Sequence, residues 1–438
     1  MVGTMVDASL KALELPAFKS VRGGSIPIGP VTLIVGRNGS GKSNILDALA
    51  VLSAVGAGAD LRDALDGGRD GPIVRGGSAG CAPLGRDEFR IGCKADIEGL
   101  EVSLDLTVQV RPELRIVSER LWSVRTTGNR RGEPLDFLRS DPPIPHSGDI
   151  VARWDNGKQG PNPVVAMRSN QLLTSQVATR VPATSAAGRR VHEVAEGMLK
   201  AISGIFLLDP VPHQMREYVP EKDNRLRRSA DNLSAVLRRL SAESAARDQL
   251  LEMTANLSEA QISGLSSVSS ELGDVMVTIE EFIGGATQPV PARLMSDGTL
   301  RFLAIAAAML DTPKVAEGAE AARVLVIEEL ENGLHPSQAA RLLRRLKSSA
   351  SERSVRTVAT THSPAILDAL EGKDHESVVV TSRDEEGWSR ITRLVDFPDY
   401  LEILGRDSLG ASAVKDRLRP GIVDLEQRQR NLRSLFED

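Results

Sequence analysis

A glycine-rich stretch near the N-terminus, GRNGSGKSN, has the residue types and spacing of a phosphate-binding turn. It fits the pattern G-x-x-x-x-G-K-[ST], in which backbone N–H groups point at phosphates at the start of a helix. Glycines are required because side chains would obstruct the curvature that turns these N–H groups inward. The stretch therefore predicts a nucleotide site. Its candidate binding residues are Gly36, Arg37, Asn38, Gly39, Ser40, Gly41, Lys42, Ser43 and Asn44.

The residues that follow the glycines have separate predicted tasks. Lys42 is expected to bridge the β- and γ-phosphates, and Ser43 to place its hydroxyl on Mg²⁺. The apolar run VTLIVG before the turn is typical of a buried parallel strand, and GKSNILDALAVLSAV after it has helical apolar spacing. An ordinary glycine-rich turn is the alternative, and the strand and helix on either side disfavour it.

Two adjacent carboxylates, Glu328 and Glu329, end the apolar segment RVLVIEELENGLHP in the second half of the chain. Neighbouring strand residues point in opposite directions, so the pair can divide two tasks that phosphoryl transfer requires. We predict that Glu328 helps to hold Mg²⁺ and that Glu329 orients or deprotonates the attacking water. A solvated acidic strand end is the alternative, and it is weak beside a phosphate-binding turn.

A histidine, His362, stands at the end of another apolar strand in ATTHSPAILDAL. A single histidine is more often structural than catalytic, and its near-neutral pKa proves nothing by itself. Its place at a strand end of the same α/β unit favours a functional role. We predict that it hydrogen-bonds the γ-phosphate or the attacking water.

The remaining sequence divides into three stretches by periodicity. Residues 1–165 combine the phosphate-binding turn with alternating segments such as EFRIGCKADI, which predict an antiparallel sheet ending near DPPIPHSG. Residues 166–288 include GRRVHEVAEGMLKAISG, DNLSAVLRRLSAESAARDQLLEMTANL and SSVSSELGDVMVTIEEFIGG, whose spacing predicts a helical insertion. Residues 289–438 return to alternating helices and apolar strands, which is an α/β pattern.

Composition limits the classes of protein to consider. The chain has 438 residues, enough for two or three packed units, and a formal charge of -5 argues against a uniformly basic nucleic-acid-coating protein. Its two cysteines, Cys81 and Cys93, support neither a disulfide framework nor a zinc site. No apolar run reaches the roughly 20 residues that span a bilayer, so we expect a cytoplasmic protein without a membrane partner.

Four motifs in a fixed order carry a resemblance to a known family: GRNGSGKSN, LMSDGTLRFLAIAAAML, VLVIEELENGLHP and TTHSP. With FKS near the N-terminus, they resemble ABC-type ATPases of the SMC, RecF and OLD kind, among the bacterial proteins labelled AAA-family ATP-binding. The resemblance spans almost the whole chain. It implies an α/β fold, an ABC-type P-loop ATPase head with a mixed sheet, flanking helices and an antiparallel subdomain. ATP and Mg²⁺ are the implied cofactors, and ATP hydrolysis is the implied activity.

By the same resemblance, SDGT corresponds to the signature motif, which is matched by Ser296, Asp297 and Gly298. The family then implies a head-to-tail homodimer that sandwiches two ATP molecules, with each signature completing the partner's site. A helix start with a small hydroxyl and a glycine is an anion site on its own chemistry. An ordinary N-cap is the alternative.

The sequence departs from the family pattern at several positions. Glu328 stands where transporters usually have Asp, and Leu330 stands where the subgroup often has Pro. Residues 331–335 occupy the position of the D-loop, on the seam of the implied dimer. Gln171 lies near the expected place of the Q-loop glutamine, and a surface glutamine is an equally good interpretation.

The family's several functions are not equally compatible with this chain. About 290 residues separate Lys42 from Glu328, which disfavours a compact transporter cassette, and the helices are too short for SMC arms. The stretch after TTHSP is too short for a nuclease domain. We therefore expect an ATPase that acts in DNA repair or maintenance or in anti-phage defence. The alternative is a nucleotide-gated module that controls a separate effector protein without binding DNA.

Two arginine-rich segments, NRLRRSADNLSAVLRRL and RLLRRLKSS, are candidates for contacting DNA phosphates. A solvated helix face is the alternative, and it is slightly favoured. The candidate arginines of the first segment are Arg225, Arg227, Arg228, Arg238 and Arg239.

Overall fold

A computed structural model describes residues 6–67, 74–126, 131–143, 147–255, 262–311 and 323–418. The strands in chain order are β1 (Ala8–Ala17), β2 (Ser25–Pro27), β3 (Val31–Gly36), β4 (Glu88–Ile97), β5 (Leu100–Gln109), β6 (Arg115–Val124), β7 (Pro134–Ser140), β8 (Asp149–Trp154), β9 (Val164–Arg168), β10 (Ile205–Leu208), β11 (Val219–Pro220), β12 (Ile262–Ser269), β13 (Asp274–Ile283), β14 (Ala286–Pro291), β15 (Arg323–Ile327), β16 (Val355–Thr361), β17 (Val378–Arg383) and β18 (Ser389–Arg393). The α-helices are α1 (Lys42–Gly56), α2 (Leu61–Asp66), α3 (Leu173–Arg180), α4 (Ala186–Ser203), α5 (Pro212–Met215), α6 (Leu233–Ser241), α7 (Ser244–Ala255), α8 (Asp297–Leu310), α9 (Pro336–Arg353), α10 (Pro364–Asp368), α11 (Tyr400–Arg406) and α12 (Leu409–Val414).

A six-stranded sheet positions the chemistry-bearing motifs, with strand order β10-β15-β16-β3-β17-β18. Strands β15, β16, β3 and β17 run parallel to one another, so their carboxyl ends share one edge. The apolar run of β3 is buried on both faces, with Ile34 in one hydrophobic core and Leu33 in another. This burial is what the sequence predicts for a parallel strand between helical layers.

An eight-stranded antiparallel sheet forms the second layer, with order β2-β1-β4-β5-β6-β7-β8-β9. Helix α1 packs between the two sheets, since its apolar residues share one core with β1, β4 and β5. The predicted end of this sheet near DPPIPHSG is wrong, because β8 and β9 continue it to Arg168. Pro142 and Pro143 lie after the end of β7, where no ladder hydrogen bond is needed.

The predicted helical insertion over residues 166–288 is only partly helical. Helices α4, α6 and α7 lie where periodicity placed them. However, SSVSSELGDVMVTIEEFIGG belongs to the antiparallel pair β12–β13, so the helical prediction for it is wrong. Its β-branched residues, such as Val277 and Ile279, favour a strand, and Gly273 supplies the positive φ of 85° in the connecting turn.

Part of the same interval also joins the six-stranded sheet and its flanking helices. Strand β10 pairs in parallel with β15, and α4 contacts α1 and β1. The second half of the interval 166–288 packs in a different hydrophobic core, which α6 and β13 share with α8 and α9. The division into stretches ending at residues 165 and 288 stays a prediction. Within the described ranges, no helix combines the length and apolar character required to cross a bilayer.

A buried carboxylate ties the antiparallel sheet to α3. Glu119 of β6 is 0% exposed, and its oxygens accept hydrogen bonds from the N–H groups of Leu173 and Thr174 at 2.7 and 2.6 Å and from the Thr174 hydroxyl at 2.6 Å. The N-cap residue of α3, Leu172, offers no side-chain acceptor. Glu119 therefore satisfies the helix start from a neighbouring strand.

Burial raises the pKa of Glu119 to about 7, and the three donors offset only part of that rise. The folded chain therefore binds a proton that the unfolded chain releases, so this group favours the folded state increasingly as pH falls from about 7 towards about 4.5. We expect the stability advantage of the wild type over Glu119→Gln to be larger at pH 5.5 than at pH 7.5, by about 1–3 kcal/mol.

Urea unfolding at the two pH values measures this difference. Glu101→Gln, on the neighbouring strand and exposed, is the matched control and should show no such pH dependence relative to the wild type. If the wild type were more stable than Glu119→Gln by the same free energy of unfolding at both pH values, Glu119 would not be the group that binds the proton.

Candidate active site

The phosphate-binding turn, called the P-loop below (Gly36–Asn44), leaves the carboxyl end of β3 and enters α1. Gly41 has a φ of 110°, in the region that glycine favours, and a methyl group there would lie 2.3 Å from the Ser389 hydroxyl oxygen. A methyl group on Gly36 would lie 2.4 Å from the carbonyl oxygen of Thr381. Strands β17 and β18 therefore lie so close to the loop that glycine is required at both positions.

Side chains on β17 and β18 hold the P-loop from behind. The Thr381 and Ser40 hydroxyls lie 2.6 Å apart, and the Ser389 hydroxyl donates to the Ser40 carbonyl at 2.6 Å. Asn44 donates from its side-chain amide to the Ser20 hydroxyl at 2.7 Å. Thr381 and Ser389 could not be predicted as partners from the sequence, because they are more than 330 residues away from the loop along the chain.

Lys42 lies over the P-loop and is 8% exposed. Its ammonium group donates to the carbonyl oxygens of Gly36 at 2.8 Å and Arg37 at 2.9 Å. Burial lowers the pKa of Lys42, and the carboxylates of Glu329 and Glu328 oppose that shift. The loop thus presents a partly desolvated cation where a phosphate would be neutralised.

Ser43 and Glu328 meet at the sheet edge. The Ser43 hydroxyl donates to the Glu328 carboxylate at 2.7 Å, although 285 positions separate them in the chain. A hydroxyl and a carboxylate are hard oxygen donors, and Mg²⁺ at phosphate sites uses few protein ligands. This donor set therefore fits Mg²⁺. The other carboxylate oxygen of Glu328 pairs with Arg75, a cation that the motif analysis missed because its segment matches no pattern.

Glu329 and Glu328 have different partners, since Glu328 accepts from Ser43 and Glu329 accepts from the Asn332 amide at 3.3 Å, but strand alternation is not the reason. Strand β15 ends at Ile327, and Glu329 adopts a φ of 52°, which is rare for a residue with a side chain. The turn is fixed from β16, since the Glu329 N–H donates to the Thr360 hydroxyl at 2.8 Å. The prediction based on a continuing strand is therefore wrong, and a bend separates the two carboxylates.

His362 follows β16 at the same edge. Its backbone N–H donates to the Glu331 carboxylate at 2.5 Å. Partial burial, reinforced by the nearby Lys42 cation, lowers the pKa of His362. The imidazole is therefore neutral at neutral pH, and its two ring nitrogens can donate one hydrogen bond and accept another. Such a group can hold a phosphate oxygen or a water without adding a competing charge.

The P-loop and His362 also border a cleft of about 360 Å³. Arg37 and Asn38 line it from the P-loop, and Arg383 and Asp416 line it from β17 and from the segment after α12. Arg37 pairs with Asp416 across the cleft. Four of the predicted binding residues, Gly36, Arg37, Asn38 and Ser40, thus line this opening.

The predicted signature residues lie at the N-terminal end of α8. The Ser296 hydroxyl caps the helix by accepting from the Thr299 N–H at 3.1 Å. Asp297 pairs with Arg216 at 2.7 Å. Gly298 lies against Gly333, in the loop that follows the two carboxylates. Within one protomer, the signature therefore contacts the loop of the acidic residues.

A comparison with protein families identifies the class. Residues 31–368 match the family described as "AAA domain, putative AbiEii toxin, Type IV TA system". The match includes the P-loop, the signature, both carboxylates and His362, and covers more than half of the chain. This chain belongs to that AAA domain family. The predicted class, an SMC/RecF-like ABC-type ATPase with a mixed α/β fold, is thereby confirmed.

Individual relatives match only parts of this AAA domain protein. The chromosome partition protein Smc of Mycobacterium tuberculosis is 41% identical over 85 residues, which cover 19% of this chain and 7% of Smc. The DNA replication and repair protein RecF of Heliobacterium modesticaldum is 43% identical over 56 residues, 13% of this chain and 15% of RecF. The chain thus matches only a small part of the length of either relative.

A solved SMC head bound to the C-terminal winged-helix domain of ScpA covers 88% of this chain and 97% of its own length. It is 15% identical, with a TM-score of 0.47.

Gln171, the candidate Q-loop residue, lies outside this AAA domain's site. It stands in the turn before α3, where its carbonyl oxygen accepts from Gln176 at 3.3 Å. The preceding residue, Asn170, accepts from the N–H of Leu61, which lies beyond the C-terminal end of α1. Because the P-loop is at the other end of that 15-residue helix, about 22 Å separates the two ends.

Proposed function

We propose that this AAA domain protein binds ATP with Mg²⁺ at the P-loop and hydrolyses it to ADP and phosphate within a head-to-tail homodimer. The observation that carries the proposal is the 2.7 Å contact between the Ser43 hydroxyl and Glu328, beside an exposed Glu329 that takes no part in it. One carboxylate thus faces the P-loop helix, while the other is available to a water. Phosphoryl transfer requires this division of tasks.

The residues of the chain have defined roles in the proposed reaction. The P-loop N–H groups and Lys42 hold the phosphates, and Ser43 and Glu328 hold Mg²⁺. When bound, the metal neutralises charge on the β- and γ-phosphates. Glu329 accepts a proton from the water whose oxygen bonds to the γ-phosphorus, while the bond from phosphorus to the bridging oxygen of ADP breaks. Neutral His362 orients the water or a γ-phosphate oxygen.

Dimerisation is proposed because the start of α8 is an anion site separate from the P-loop. The first N–H groups of a helix have no acceptor within it, and the helix dipole favours an anion there. Ser296 adds a hydroxyl, and Arg216 offsets the charge of Asp297. In the proposed dimer this helix start meets the γ-phosphate bound by the partner subunit.

The dimer is tested by removing the Ser296 hydroxyl. Ser296→Ala should weaken ATP-dependent dimerisation by about 10-fold or more, because a hydrogen bond to a charged group contributes about 1.5–3 kcal/mol. Ser408→Ala is the matched control, since Ser408 caps α12 in the same way and accepts from the Ala411 N–H at 3.2 Å. Both variants lose about 1 kcal/mol of capping stability.

Light scattering with a non-hydrolysable ATP analogue measures the association. We expect the wild type and Ser408→Ala to dimerise at similar concentrations, and Ser296→Ala to require higher ones. Equal dimerisation by Ser296→Ala and Ser408→Ala would show that the signature does not contribute to the dimer interface. A wild type that stays monomeric at every analogue concentration would contradict the proposed dimer itself.

For the process that the dimer serves, we propose DNA repair or maintenance or anti-phage defence, based on the family and on the Smc and RecF relatives. One observation favours the alternative, a protein effector controlled by the nucleotide. Several basic residues of the two predicted DNA-contacting segments form ion pairs within the chain: Arg227 with Asp223 and Asp231, Arg238 with Glu221, Arg239 with Asp311, Arg345 with Glu252, and Lys347 with Asp374. Phosphate binding there would first have to break these ion pairs.

A further inference from the structure

Two glycines bring the start of α8 into direct contact with the loop that carries the acidic residues. A methyl group on Gly298 would lie 2.0 Å from the carbonyl oxygen of Gly333, far inside any real contact distance. From the other side, a methyl group on Gly333 would lie 3.2 Å from the Gly298 Cα atom. Gly333 also has a φ of 77°, which glycine adopts without strain. The two backbones therefore touch with no room for a side chain.

The loop on the other side of this contact, named the acidic loop (Glu328–Gly333), is short and internally bonded. The Asn332 N–H donates to the Glu329 carbonyl at 2.9 Å, and the Asn332 side-chain amide donates to the Glu329 carboxylate at 3.3 Å. Glu331 accepts from the His362 N–H at 2.5 Å. A displacement of Gly333 is therefore passed directly to Glu329 and His362.

The acidic loop has an incomplete hydrogen-bond set of its own. The second carboxylate oxygen of Glu331 is buried and has no hydrogen-bond partner among the described residues. Leaving a buried acceptor unpaired is costly, so the loop's own bonds do not account for its position. Two outside contacts restrain the loop: Thr360 of β16 accepts from the Glu329 and Leu330 N–H groups, and α8 packs against Gly333, where a packed backbone contact resists movement.

We propose that Gly298 is a positioning residue for hydrolysis in its own protomer. By lacking a side chain, it lets the start of α8 set the position of the acidic loop, and hence of Glu329 and His362. This inference rests on the proposed function for the reaction that is measured. It gives the signature a role within its own protomer besides the one proposed across the dimer.

Mixed dimers separate the two roles. One protomer carries Lys42→Ala, and at an ATP concentration that fills only the wild-type P-loop, the signature of the other protomer faces an empty site. The other protomer keeps the single working P-loop and carries Gly298→Ala. In this dimer the working site is completed by a wild-type signature, so Gly298→Ala can act on hydrolysis only through its own acidic loop. Two different affinity tags allow the mixed dimer to be purified.

We expect Gly298→Ala in this position to lower kcat about 10- to 100-fold, since small displacements of reacting groups have effects of that size. KM for ATP should change less than about twofold, because the P-loop that binds ATP is unaltered. An unchanged kcat, or a raised KM at unchanged kcat, would overturn the inference.

Two further variants keep the test decisive. Gly333→Ala closes the same gap from the loop side, so it should give the same loss of kcat if Gly298→Ala folds poorly. Gly405→Ala, in α11, is the control, because a methyl group there meets no atom within 4 Å. It should leave kcat and KM unchanged. If the mixed dimer with wild-type Gly298 hydrolyses no ATP, the proposed function is contradicted. The inference about Gly298 is contradicted only if that dimer is active and Gly298→Ala leaves its kcat unchanged.

Discussion

Glu329→Gln is expected to lower kcat for ATP hydrolysis by about 10²- to 10⁴-fold, the usual contribution of a general base. Glutamine keeps the size and the hydrogen-bonding of the side chain, including an acceptor for the Asn332 amide, but it cannot take a proton from water. The affinity for ATP should be retained, because Lys42, Ser43 and Glu328 are unaltered. Steady-state phosphate release and equilibrium binding of ATP measure the two quantities.

The control for Glu329→Gln is Glu386→Gln, an exposed carboxylate in the turn between β17 and β18. It should hydrolyse ATP at the wild-type rate. Hydrolysis by Glu329→Gln at the wild-type rate would show that another group is the general base. The next carboxylate along the loop is Glu331, which contacts His362.

The same variant separates the two proposed processes. If Glu329→Gln accumulates as an ATP-bound dimer, it can be used to capture partners from the cell. Co-purified DNA, with binding that falls steeply as salt is raised, would support a DNA-associated role. A protein bound only in the presence of ATP, with no DNA, would support the effector alternative. Equal protein binding with and without nucleotide would contradict a nucleotide-gated module.

Motifs with local chemistry were predictable from the sequence, whereas the contacts that hold them were not. The strand before the P-loop, the helix after it and the strand before Glu328 each have a distinct apolar pattern. By contrast, Thr381 and Thr360 are ordinary strand residues until the topology places β17 and β16 beside β3 and β15. Arg75 carries no motif either, although it pairs with Glu328.

The mistaken predictions also have physical causes. The segment of β12 and β13 was assigned to a helix because its apolar residues fit a period of 3.6 nearly as well as a period of 2. A β-hairpin is favoured by its valines and isoleucines and by the glycine turn between the strands. At Glu329 the error was to extend β15 past Ile327, since nothing in the sequence indicates the positive φ that Thr360 supports.

Lys42→Ala is expected to weaken ATP binding by about 10- to 100-fold, because hydrogen bonds to charged groups contribute about 1.5–3 kcal/mol. The ammonium group lies over the P-loop, bonded only to the carbonyl oxygens of Gly36 and Arg37 among the described residues, and is partly desolvated. A phosphate would replace these neutral acceptors with a charged one. Titration calorimetry with the ATP analogue measures the change in Kd.

Lys94→Ala provides the control, since Lys94 lies on β4 with its side chain 42% exposed and should not alter Kd. The two variants also differ in what they reveal about the site. If Lys42→Ala weakens ATP binding and Lys94→Ala does not, the phosphates bind at the P-loop. Wild-type affinity in Lys42→Ala would instead place the nucleotide in the neighbouring cleft, where Arg37 and Arg383 are the available cations. In that case Ser43 and Glu328 could not share a metal with the phosphates, and the proposed mechanism would be wrong.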